Sequence, residues 1–312
     1  KKQCLIFGSM PNTFDWASID HPETFDQIAM YRYRDQYAHV AVYQEFCDHL
    51  GRTPERVLAV SQIPYLPIYF FKTHQVLRAG ADTSHYFTSS ATTGMVPSKH
   101  YVPRLDVYEK SFRQGWELFY GPVENYCVLA LLPSYLERTG SSLVYMAQDM
   151  IQRSGHPKSG FYLDQFKELS ETLLALEASQ TPTLLLGVTF ALLDFSAQYP
   201  MALKHTIVME TGGMKGRGRE MIREEVHQKL SEAWGGAAIH SEYGMTELLS
   251  QAYSLGGGVF SCPPWMRVNI RDTEDPLTRL PEGQSGGIDI IDLANVDSCS
   301  FISTQDLGRA TG

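Results

Sequence analysis

The chain has 312 residues, with 26 Lys and Arg against 35 Asp and Glu, a formal net charge of −9 and no basic block, which argues against nucleic acid as a partner. A hydrophobic fraction of 43 % over this length is enough for a large core in one or two domains. No apolar run approaches the roughly 18 residues needed to cross a bilayer and no charged-then-apolar leader is present, so a cytoplasmic protein without a membrane span is expected. The five cysteines (Cys4, Cys47, Cys127, Cys262 and Cys299) are scattered, odd in number and free of C-x-x-C spacing, which fits a reducing compartment and argues against disulfides or zinc. The ten histidines form no H-x-x-x-H pair beside an acid, so no protein-ligated transition metal is expected.

Residues 20–50 read as a helix: Asp20 and Glu23 form a capping-box-like start, and Gly51 supplies a stop. Phe25, Ile28, Tyr31, Tyr37, Val40 and Phe46 recur at near-helical spacing as its core stripe. After a Pro-rich segment at 63–67, strands are predicted over 126–132, 183–187 and 206–210. Helices are predicted over 143–154, 164–179, 188–198 and 217–234, the last carrying Ile222, Val226, Leu230 and Trp234 on one face. Such alternation predicts an α/β fold with a largely parallel sheet covered by helices. From about residue 255 the texture shifts to strands and turns, with strands over 259–262, 266–270 and 287–293 forming a smaller β-rich subdomain. The expected units are an N-terminal helical segment (1–60), an α/β body (61–254) and the β-rich subdomain (255–312).

Three segments carry chemistry. His240-Ser241-Glu242-Tyr243-Gly244-Met245-Thr246-Glu247 follows an apolar stretch, where a strand should end and the chain turn. The Tyr243 ring can stack on a purine, Gly244 admits close backbone approach, and Thr246 and Glu247 can reach phosphate and a hard cation. Upstream, Thr88 to Lys99 forms a loop of hydroxyls, Gly94 and a lysine, suited to phosphate oxygens but lacking Walker A spacing. Downstream, Phe301 to Arg309 is a strand ending in Asp306 and Arg309, where a carboxylate can accept from a ribose diol. Gly212 and Gly213 begin a glycine-rich approach to the 217–234 helix, and a helix N-terminus suits an anion. Gly283-Gln284-Ser285-Gly286-Gly287 matches the hydrolase elbow in letters only, since a turn precedes it and a strand follows.

Together these segments resemble, in order, the phosphate loop, Tyr-Gly-x-Thr-Glu motif and Thr-Gly-Asp-Leu motif of adenylate-forming enzymes, the acyl-CoA synthetase superfamily. Ile63 to His74 and Glu210-Thr211-Gly212-Gly213-Met214-Lys215 narrow the resemblance to the LuxE-like acyl-protein synthetases. The resemblance runs from about residue 60 to the end. It implies the large N-terminal domain of such an enzyme, which activates a carboxylic, typically fatty, acid with ATP and Mg²⁺. The acyl group then passes to a thiol (a protein cysteine, CoA or a carrier protein), and an acyl reductase is a possible partner. The implied roles are Tyr243 on adenine, Asp306 on ribose, and Ser89, Ser90, Thr92, Thr93, Gly94 and Lys99 on the β- and γ-phosphates. Thr246 would face the α-phosphate, Glu247 would hold Mg²⁺, and Gly212 and Gly213 would lie against adenine or the acyl group; Thr246, Glu247 and Lys99 are the catalytic candidates. Ala91 and Gln305 depart from the family pattern and keep a weakened nucleotide- or acyl-binding relative open as an alternative, beside a CoA ligase of the phenylacetate type. A small C-terminal portion follows the ribose motif in the resembled family and is expected to be absent here.

Overall fold

A computed structural model describes residues 19, 21–89, 96–133, 140–212 and 221–311. The chain opens with helices α1 (Pro22–His39) and α2 (Ala41–His49), runs through strand β1 (Leu66–Pro67) and the single turn α3 (Phe70–Thr73), then forms a hairpin of β2 (Tyr86–Thr88) and β3 (Lys99–Tyr101). Next come α4 (Leu105–Tyr120), β4 (Cys127–Leu131), α5 (Ser142–Ser154), β5 (Gly160–Tyr162), α6 (Phe166–Ala178), β6 (Thr183–Val188) and α7 (Thr189–Gln198). The α/β part ends with β7 (Thr206–Thr211), α8 (Arg223–Ala233), β8 (Ile239–Tyr243) and β9 (Ala252–Ser254). Strands β10 (Met266–Arg271), β11 (Ser285–Asp292) and β12 (Phe301–Arg309) follow.

Six strands form one sheet in the order β5-β4-β6-β7-β8-β9, parallel except for the edge strand β9. Every residue of β4 and β6 is buried, as continuous apolar strands must be when helices cover both faces. Thr189 of α7 and His227 of α8 reach Glu210 and Ser241 on one face. Glu242, the next residue along β8, projects to the other face, beside Tyr108 of α4. A second sheet, β1-β12-β11-β10, is antiparallel apart from the β1–β12 pair, and a register shift between Gly287 and Asp289 kinks β11.

Several sequence expectations are corrected. The 20–50 helix breaks at Val40, whose extended backbone caps α1 and starts α2. Its start is His21 followed by Pro22, whose fixed φ suits a first helical position; the His21 side chain makes no capping bond, and Asp20 lies outside the described residues. The inward stripe is Phe25, Ile28, Ala29, Arg32, Tyr33 and Gln36, so Tyr31 and Tyr37 lie at its flank. Helix α8 buries Val226 and Leu230, whereas Ile222 is its exposed N-cap. Residues 259–262 form only an isolated bridge, Tyr253 to Ser261. Ser285 is exposed and begins β11, with a turn before it, as the strand-entry reading requires.

Candidate active site

The strand–turn junction at Tyr243 falls at the carboxyl end of the parallel sheet, the edge at which α/β sheets bind ligands. Strand β8 itself runs through Ser241, Glu242 and Tyr243, and the turn begins at Gly244. Asp306, read as an acidic residue near the end of a strand, lies within β12, which continues to Arg309. Its exposed carboxylate nevertheless meets the first motif: Tyr243 Oη donates to Asp306 Oδ2 at 2.8 Å. The other carboxylate oxygen keeps its acceptor sites. Phe260 packs edge-on against the Tyr243 ring at 6.0 Å, and Arg223 lies over Phe260.

Thr246 is half-buried and Glu247 is 4 % exposed. Burial pushes the Glu247 carboxyl up, opposed by a hydrogen bond from Ser98 and the charge of Lys72. The backbone of this pair is held by residues that the sequence reading missed. His100 Nδ1 lies 2.8 Å from the Thr246 carbonyl and Asn295 Nδ2 donates to the Glu247 carbonyl at 2.8 Å. Burial pushes His100 down to about 4, so the ring is neutral and its one N–H goes to the Thr246 oxygen. Asn295 is held in turn through its own carbonyl, which accepts from the Gln36 amide of α1 at 2.7 Å. The following turn is clamped by Asp292, fully buried, which accepts from Leu249 N, Ser250 N, Ser250 Oγ and Ala294 N at 2.6–3.1 Å.

The hydroxyl-rich loop hangs from the β2–β3 hairpin. Ser89 closes its base: the Ser98 N–H donates to Ser89 Oγ at 2.8 Å and the Ser89 N–H to the Ser98 carbonyl. Lys99 was expected in the loop but stands on β3, its ammonium 3.7 Å from the Tyr86 ring centre and 4.8 Å from that of Tyr101. Gly212 follows β7 at φ +68°, a backbone conformation open to glycine, level with the end of β8. Ser90, Ala91, Thr92, Thr93, Gly94 and Gly213 lie outside the described residues. Gln305 is exposed on β12.

Among the described residues, Cys47, Cys127 and Cys299 are buried and Cys262 half-buried. Burial pushes Cys47 up to about 12 and Cys262 up to about 11, so neither is a ready nucleophile. No cluster of three or more His, Cys, Asp or Glu able to hold a metal occurs among the described residues. No helix among them is long and apolar enough to cross a membrane.

The fold built around this junction is that of the adenylate-forming ligases. The 2-hydroxyisobutyryl-CoA ligase complexed with 2-HIB-AMP and CoA superposes with a TM-score of 0.67 at 13 % identity, covering 96 % of this chain and 68 % of that one. ATP-bound MatB from Rhodopseudomonas palustris gives 0.54 at 18 % identity over 74 % of this chain; the match spans 46 % of MatB, less than half its length. Residues 2–131 match the family described as acyl-protein synthetase, LuxE, which bears out the sequence resemblance where the two overlap, from about residue 60 to 131. Among curated protein sequences none matches the chain.

Proposed function

We propose that this chain activates a carboxylic acid with ATP and passes the acyl group to a thiol. A carboxylate oxygen attacks the α-phosphorus, an O–P bond forms, the α–β bridge breaks and pyrophosphate leaves. A thiolate then attacks the acyl carbon, a C–S bond forms and AMP departs. The first step needs alignment and charge neutralisation more than covalent help from the protein. In this reading Tyr243 stacks on adenine and Asp306 accepts from the ribose diol. Thr246 faces the α-phosphate, and the loop from Ser89, with Ser90, Thr92, Thr93, Gly94 and Lys99, embraces the β- and γ-phosphates. Gly212 and Gly213 present bare backbone to the adenine or acyl group. Magnesium is commonly held by one or two carboxylates plus substrate phosphates, and the single buried Glu247 carboxylate fits that donor set. Bound there, the ion would supply charge neutralisation on the phosphate oxygens.

The observation that supports this reading most is the meeting of distant segments at one sheet edge. Tyr243 touches Asp306, and the phosphate-loop hairpin reaches the Thr246–Glu247 turn through His100 and Ser98. ATP–pyrophosphate exchange, screened across short, medium, long-chain and aromatic acids, tests it; no acid-dependent exchange with retained ATP binding would favour the weakened-relative alternative. The thiol is an external one in this reading, because Cys47, Cys127 and Cys299 are buried and the half-buried Cys262 is pushed up by desolvation, so none is a ready nucleophile. CoA, a carrier protein and a protein cysteine are the candidates, and comparing them as acceptors separates a CoA ligase from an acyl-protein synthetase. A fatty acid substrate, a cytoplasmic setting and an acyl reductase partner belong to the same proposal.

A further inference from the structure

Ser98, just before β3, and His100, within it, are two residues apart and both buried. Both reach the same turn: Ser98 bonds to the Glu247 carboxyl, and His100 Nδ1 lies 2.8 Å from the Thr246 carbonyl oxygen. The other ring nitrogen, Nε2, lies 2.9 Å from Ser298 Oγ and 3.1 Å from Asn295 Oδ1, in the connection between β11 and β12. Phe71 of α3 meets the imidazole edge-on, with ring centres 5.5 Å apart. One buried ring is thus tied to three separate segments. A carbonyl only accepts, so the single N–H of the neutral ring sits on Nδ1 and points at Thr246. The hairpin that carries His100 also carries the hydroxyl-rich loop, whose base Ser89 and Ser98 close.

We propose that His100 is a positioning residue for adenylation, its Nδ1–H coupling the phosphate-binding loop to the Thr246–Glu247 turn. This rests on the adenylation reading, which gives the β- and γ-phosphates to the loop and the α-phosphate and cation to the turn. The leaving pyrophosphate and the phosphorus under attack are then held by two segments joined through one imidazole. In-line displacement requires the two to stay aligned. Base and ribose, held at Tyr243 and Asp306 in that reading, do not depend on the joint. Loss of the joint therefore leaves ATP affinity nearly intact and lowers the rate, as expected when an interaction matters in the transition state more than in the ground state. A displacement of about 1 Å is enough to cost on the order of 10²-fold.

Two substitutions separate the ring nitrogens. His100→Asn can keep an N–H at the place of Nδ1, whereas the longer amide of His100→Gln reaches the place of Nε2 and leaves the Thr246 carbonyl without its donor. For each variant the measurements are ATP affinity by calorimetry, acid-dependent pyrophosphate exchange at saturating ATP, and hydrogen exchange of backbone amides 244–250 with ATP bound. His100→Gln should lower pyrophosphate exchange by about tenfold or more while its ATP Kd stays within about threefold of the unaltered chain, and its 244–250 amides should exchange faster. His100→Asn should match the unaltered chain within about threefold throughout. Loss of folding, or of stability and ATP binding together, in both variants is the mark of a purely structural role and would overturn the proposal. Equal pyrophosphate exchange in the two variants, or unchanged protection of 244–250 in His100→Gln, would overturn it as well. No acid-dependent exchange by the unaltered chain would instead strike the adenylation reading, and the amide comparison would still decide whether Nδ1 holds the turn.

Discussion

Replacing Glu242 by glutamine should stabilise the protein at alkaline pH and leave it unchanged at acid pH. Burial, then the neighbouring Glu210 carboxylate, pushes the Glu242 carboxyl from 4.5 up to about 7, against the lowering effect of the Thr211 hydrogen bond. The folded value lies above the unfolded one, so the folded state favours the neutral acid. That contribution is complete below about pH 4.5 and is lost as pH rises through about 7. A rise of this size corresponds to about 3 kcal/mol, at about 1.4 kcal/mol per pH unit. Glutamine copies the shape of the neutral acid, keeps an acceptor for Thr211 and never ionises. Urea unfolding of both proteins from pH 4 to pH 9 should show nearly equal stability at the acid end. The variant should gain about 3 kcal/mol by pH 8. Taking the difference cancels the other groups that titrate in the window. A difference that stays flat with pH, or a variant less stable at pH 8, would refute the argument that Glu242 is held neutral by burial.

Glu247→Gln should lower acid-dependent pyrophosphate exchange by on the order of 10²-fold with the melting temperature little changed, because a charged oxygen ligand is lost at the phosphates; near-normal exchange at low Mg²⁺ would remove the metal role. Asp306→Ala should raise the KM for ATP at least tenfold while leaving the far-UV circular dichroism intact, since this carboxylate is exposed; an unchanged KM would deny it the ribose. Asp292→Ala should destabilise the fold by about 3–5 kcal/mol in urea unfolding, because four donors lose a buried charged acceptor. Mass spectrometry after incubation with ATP and acid should find no thioester on Cys47, Cys127, Cys262 or Cys299; a near-stoichiometric adduct on any of them would show that an internal thiol is the acceptor.

The strands of the parallel sheet were legible because their runs, such as Leu184, Leu185 and Leu186, are buried on both faces and need no alternation. The break at Val40 was not legible, since apolar periodicity continues across it and no Gly or Pro marks it. Helix α4 and the short strands β2, β3, β5 and β9 were not anticipated. Three-residue strands carry too little pattern to register, and the apolar positions of α4 (Tyr108, Phe112 and Trp116) are spread among charged residues. The site motifs were visible as local spellings, yet the residues that position them were not. His100, Asn295, Gln36 and Asp292 act across sequence separations of 42 to 264 residues, which no local window records. Ser89 was legible as a hydroxyl, whereas its role in closing the loop base depends on Ser98 lying opposite.

The buried carboxyl groups near this edge sort themselves by how fully the protein compensates them. Glu210 is pushed up by burial, yet His227, Ser241, Thr189 and Arg223 together hold it below its ordinary value, as a structural carboxylate should be held. Asp292 remains raised but has four donors, enough to explain it as a clamp for the turn after Glu247. Glu242 and Glu247 are different: each is buried and raised, and each receives a single side-chain hydrogen bond, from Thr211 and Ser98 respectively. A stable fold has little reason to desolvate a carboxyl group and leave it so sparsely paired, whereas a binding site does, because the ligand completes the set. The two under-compensated groups flank Gly244 and Thr246, on the turn whose carbonyls His100 and Asn295 hold in place. Rigid backbone beside sparsely paired carboxyl groups is the arrangement that the proposed adenylation site calls for.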